Sequence, residues 1–120
     1  MSVTFSTTKP QALLDAFRKR VNQEEQKGKI TTWEENSKKF FTHKASQVAR
    51  QAYMWPTISD NALVFTIHAP KGEPISDYVY AFYHGHLTET FITHFKDLFS
   101  SASSTAKAAA KDNVEGVYKS

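Results

Sequence analysis

The chain has no cysteine among its 120 residues. That excludes disulfide staples, thiolate catalysis and cysteine-ligated zinc, and it fits a reducing compartment. With only four glycines and four prolines, it carries no Gly-rich phosphate loop, and it shows no internal repeat. No apolar run approaches the roughly 20 residues that span a bilayer, so no membrane partner is expected. Residues 1–9 lack the basic start and apolar stretch of a secretory signal, which makes the cytoplasm the expected location. What is present suffices for a core: 40% hydrophobic and 13% aromatic residues, in a length that suits one domain without metal or disulfide support.

Charge is unevenly spread. Residues 9–50 carry ten Lys/Arg against five Asp/Glu, residues 51–99 two against five, and residues 100–120 three against two. A basic N-terminal half can steer an acidic partner. Arg18, Lys19, Arg20, Lys38 and Lys39, with Trp33 stacking on a base, are the candidate contacts to nucleic acid. Against this stands the simpler reading of Arg18, Lys19 and Arg20 as the solvated side of a helix.

Periodicity assigns the elements. Thr8 as N-cap, Pro10 in the first turn and Gln11 three residues after the cap open a helix over about residues 10–27. Its apolar stripe is Leu13, Leu14, Phe17 and Val21, and Gly28 stops it. Residues 30–34 and 39–43, separated by Asn36-Ser37, read as a β-hairpin. Residues 44–50 read as a helical turn or structured loop. Residues 52–58 form a strand that Pro56 places at an edge or a bulge. Leu63, Phe65 and Ile67 alternate with Val64, Thr66 and His68 in a further strand, the first set facing the helices.

The most pronounced pattern lies in residues 76–99. Tyr80, His84, Leu87, Phe91, His94, Phe95 and Leu98 recur at helical spacing, with Ser76 as N-cap and Asp77 just inside. Gly85 interrupts the pattern at a cost of about 1 kcal/mol relative to alanine, and a continuous helix is expected through it. The fold class is therefore α+β: an N-terminal helix, a four-stranded antiparallel meander and a long C-terminal helix, both helices on one face of the sheet. Residues 1–99 make the single domain. Residues 100–120, rich in Ser, Ala and Lys, read as a flexible tail.

Chemistry is weakly supported. His84 and His86 lie roughly 200° apart on a helix, so His84 is expected inward and His86 outward. His86 with Glu89 leaves a ligand set incomplete unless His43 or His68 completes it. No hydrolase motif accompanies the histidines, and neither a metal nor a cofactor is expected. Tyr78 and Phe82 project from the side opposite the core stripe, beside His86 and Glu89, and these four form the candidate interaction surface.

Trp33-Glu34, Phe41-Thr42-His43, the run Tyr80-Ala81-Phe82-Tyr83-His84-Gly85 and His94-Phe95, spread over residues 30–99, resemble small uncharacterised bacterial proteins. The resemblance implies a bacterial, cytoplasmic, single-domain protein and assigns no catalytic or binding residue. The functional expectation is a non-enzymatic protein-interaction module, binding a protein partner or forming a homodimer through its final helix. Weak nucleic-acid binding is the alternative, and a His/Glu metal site or enzyme the third reading.

Overall fold

The computed structural model describes residues 3–109 and 111–118. Along the chain run β1 (Val3–Ser6), α1 (Pro10–Asn22), β2 (Trp33–Glu35), β3 (Phe41–His43), β4 (Tyr53–Ser59), β5 (Ala62–His68), α2 (Asp77–Phe95) and β6 (Ser101–Ser104). The strands make an antiparallel sheet of order β2-β3-β4-β5-β1-β6. The fold is α+β, but the sheet has six strands where four were expected. The helix arrangement differs too, because neither helix is terminal: α1 links β1 to β2, and α2 links β5 to β6.

Alternating apolar residues make β5, although Thr66 between two of them is buried as well. Leu63, Phe65 and Ile67 are fully buried, and across the hairpin Met54 faces Ile67 while Pro56 faces Phe65. Pro56 lies in a strand with neighbours on both sides, yet β3 pairs with β4 only at Phe41–Met54. Beyond Met54 that side of β4 is an edge, which is where a residue without an N–H is tolerated. The β2–β3 hairpin closes through Asn36, whose Oδ1 accepts from the N–H groups of Lys38 (2.9 Å) and Phe40 (3.0 Å). The turn holds Lys39 at φ 73°, a left-handed conformation that costs a residue with a Cβ about 1 kcal/mol. Lys39→Gly is therefore expected to raise stability by up to about 1 kcal/mol, readable as a higher urea midpoint at unchanged slope.

The first helix departs from expectation at both ends. Its N-cap is Lys9, with no side-chain cap. Thr7, not Thr8, supplies the local bond, its Oγ1 accepting from Lys9 N–H at 3.0 Å. The helix stops at Asn22, five residues before the expected end. Val21 is its last apolar residue, so nothing beyond it has burial to hold a further turn. Gln23 instead folds its side chain onto the carbonyls of Glu25 and Lys27.

Phe17 of α1 and Phe91 of α2 meet at 4.9 Å over Phe65 of β5, and Phe91 stacks on Phe5 of β1 at 4.1 Å. This ring cluster is the centre of the core. Ser76 caps α2, accepting from Val79 N–H, and the helix continues through Gly85. Its buried side is Val79, Tyr83, His84, Leu87, Thr90, Phe91 and Phe95. Tyr83 thus belongs to the core, its hydroxyl donating to Val48 O at 2.6 Å, whereas Leu98 lies beyond the helix and is exposed.

The segment read as a tail supplies the sixth strand. Ser101–Ser104 pairs with β1 from Ser6 back to Val3, and Ala102 packs against the core. The chain then returns along β5. Asp112 Oδ1 accepts from Ile67 N–H at 3.0 Å, and Asn113 exchanges backbone bonds with Ile67 and Ala69. Val114 and Gly116 accept from Ile75 and Gly72.

Candidate functional site

The solvent side of α2 carries an unusual surface for an exposed helix. From Tyr78 to Thr88 it contains no Asp, Glu, Lys or Arg, although Tyr78 is 62% exposed and Ala81 and Gly85 are exposed as well. Ile92, a turn past Glu89, is 50% exposed. A helix apolar on every side is normally buried on every side. Apart from the adjacent residues and the helix's own backbone, no heavy atom of the described residues comes within 4 Å of where a Cβ on Gly85 would stand, so open space lies over the middle of this ridge.

One flank of the ridge is a wall of rings. Phe82 and His86 stack at 4.0 Å with planes 10° apart, the expected geometry for neighbours four residues apart on a helix. His43 of β3 stands perpendicular to both, 5.0 Å from Phe82 and 5.2 Å from His86. Tyr78 lies 6.0 Å from Phe82. His43 is buried, and its Nδ1 accepts from Ala45 N–H at 3.0 Å, which fixes the neutral tautomer with the proton on Nε2. Among the described residues that Nε2 has no hydrogen-bond partner. Burial, reinforced by the His86 ring, lowers the pKa of His43 to about 4.

On the other flank α2 borders a cleft of about 410 Å³ shared with β6 and the residues after it, lined by Tyr80, His84, Gly85, Thr88 and Thr105. His84 is turned inward and stacks on Tyr80 at 3.8 Å. Its Nδ1 lies 2.6 Å from Tyr80 O; a carbonyl only accepts, so Nδ1 carries the proton and Nε2, which has no partner among the described residues, is an acceptor. Burial lowers its pKa, opposed by the bond to Tyr80.

The sequence-derived surface residues are thus brought together: Tyr78, Phe82, His86 and Glu89 share one side of α2, with Phe82 half-buried against His43. The expected basic contacts are not gathered. Arg18 is held by Glu35 at 2.7 Å, and Arg20 lies over Phe95 with its guanidinium on His94 Nδ1. Lys19 is exposed on α1, while Lys38 and Lys39 project from the β2–β3 turn. Trp33 presents no stacking surface. It is 1% exposed and donates from Nε1 to Thr90 Oγ1 at 3.1 Å, because it faces α2 beside Tyr83. The fold does place His43 against His86, yet among the described residues no group of three or more His, Cys, Asp or Glu is arranged to hold a metal. Among the same residues no helix is long and apolar enough to cross a membrane.

A second aromatic surface went unread in the sequence. Tyr53 and Trp55 flank the buried Met54, and His68 follows the buried Ile67, so strand alternation turns them to the sheet face away from the helices. Phe40 joins them, 4.8 Å from Trp55, 6.3 Å from Tyr53 and 5.6 Å from His68. The signal lay in the alternation around Met54, but which face the helices would cover had to come from the fold. No family model, curated protein or solved structure matches the chain.

Proposed function

We propose that this chain is a non-enzymatic interaction module that pairs with a second copy of itself through the solvent side of α2. The observation that carries the reading is the exposed ridge Tyr78, Ala81, Gly85 and Ile92, with Glu89 the one charged residue between Tyr78 and Ile92, on a helix whose opposite side is already in the core. Gly85 stands midway between Tyr78 and Ile92. Two α2 helices crossing antiparallel about a two-fold axis at Gly85 would set each Tyr78 against the other copy's Ile92, as an isologous interface requires. The absent Cβ permits close approach of the backbones. The two Glu89 carboxylates would stand about 12 Å apart along the helices, beyond a Debye length at physiological salt. Phe82 and His86 would form the rim.

Sedimentation over a range of concentrations tests this. The wild-type chain is expected to shift from monomer to dimer as concentration rises. Gly85→Glu is expected to stay monomeric, because two carboxylates would then meet at the axis. The same substitution should stabilise the monomer by roughly 0.5–1 kcal/mol through helix propensity, which separates loss of pairing from loss of folding. A wild-type monomer at every concentration rejects the reading.

A further inference from the structure

We infer that the open face of the sheet, on the side opposite the helices, binds single-stranded nucleic acid. Phe40, Tyr53, His68 and Tyr118 line a cleft of about 210 Å³ whose rim carries Lys38 and Lys71. Among the described residues no carboxylate lines the cleft. Two carboxylates of adjoining segments are otherwise engaged: Glu34 pairs with Arg50 at 3.2 Å, and Asp112 accepts from the N–H groups of Ile67 and Ala109. Two exposed lysines over an apolar, ring-lined floor match a ligand that is anionic along one side and flat along the other.

The size and the extension of the surface select a strand of nucleotides. The cleft is below the usual range for an enclosed drug-sized ligand, and it holds about one planar ring system. Next to it Trp55 offers a second ring, 38% exposed and 4.8 Å from Phe40, so stacking positions continue along the sheet. Aromatic platforms flanked by cations bind single strands with little sequence preference, since every base has a flat face. The rings are held in place. Phe40 is braced by Tyr53, Trp55 and His68, and the hydroxyl of Tyr118 donates to Ala69 O, so little side-chain freedom is lost on binding.

This surface differs from the basic set on α1, and the difference supplies the test. Fluorescence anisotropy of a labelled oligo(dT) is measured at low salt and then over a salt series. Binding is expected, with log K falling against log salt at a slope of about −1.4, the value for two phosphates neutralised on a single strand. Trp55→Ala, and separately the pair Lys38→Ala with Lys71→Ala, should each weaken binding about tenfold, while Lys19→Ala on α1 should change it less than twofold. Trp55→Leu keeps the apolar bulk, and circular dichroism confirms that each variant is folded. Unlabelled oligo(dT) should displace the probe far better than inorganic polyphosphate, which has charge but no bases. Absence of binding at low salt, indifference to both Trp55 substitutions, or equal displacement by polyphosphate would each overturn the assignment.

Discussion

A chain ending at residue 100 is expected to lose on the order of 5 kcal/mol of stability, most of what a domain of this size possesses. Among its described residues the segment removed carries no large buried side chain, so the effect is one of backbone satisfaction. Without β6, the N–H and C=O groups of β1 facing Ser101–Ser104 lose their partners, and β1 becomes a raw edge open to aggregation. Without residues 112–116, Ile67, Ala69, Gly72 and Ile75 lose the backbone or carboxylate partners that this segment supplies. Tyr80 also loses the Thr105 carbonyl that its hydroxyl bonds at 3.0 Å. Each lost bond costs about 1 kcal/mol, and more where the orphaned group stays buried. Chemical denaturation of the shortened chain provides the measurement. Asp112→Ala, which removes the acceptor for Ile67 and Ala109, should cost about 1–3 kcal/mol and remains measurable if the shortened chain does not fold. An unchanged midpoint for the shortened chain would show that the segment lies on the surface without supporting it.

Elements with a strong local period were legible: Leu63, Phe65 and Ile67 alternate, and Leu13, Leu14, Phe17 and Val21 recur at helical spacing, because one face of each is buried by its own side chains. The strand Ser101–Ser104 has no such period. It is ordered because β1 presents an unpaired edge, a tertiary cause that Ser-Ala-Ser-Ser cannot announce. At four residues, β1 is also too short to be singled out, although Val3 and Phe5 alternate correctly and are fully buried.

The candidate surfaces divide in the same way. Tyr78 and His86 were correctly separated from the buried side of α2, since 100° per residue suffices to do so. Trp33 and Trp55 could not be told apart. Both sit in aromatic strand segments, and only the choice of covered face buries Trp33 under α2 while leaving Trp55 in the open. Likewise Arg18 and Arg20 read as available cations, but the fold sets them against Glu35 and His94.

Lowering the pH from 7 to 4 is expected to remove up to about 3 kcal/mol of stability through His43 alone. In the folded chain its pKa falls to about 4 because the ring is buried, with His86 beside it adding to the effect; in the unfolded chain it returns to about 6.5. The unfolded state therefore binds the extra proton first as the pH falls, and stability drops with it through the window from about 6.5 to 4. Above that window the ring is neutral in both states and the loss vanishes. The chemistry agrees with the sign: protonating Nδ1 breaks its bond from Ala45 N–H and places a charge among Trp33, Phe82 and Tyr83. His68, His84 and His94 are also lowered, each chiefly by burial, and act in the same direction. Urea midpoints measured at intervals across this window should fall steadily. His43→Gln should be less stable than wild type at pH 7, having lost the ring contacts, yet its pH dependence should be shallower by about the uptake of one proton. A flat profile, or a His43→Gln profile parallel to wild type, would show that His43 takes up its proton in the folded state as readily as in water.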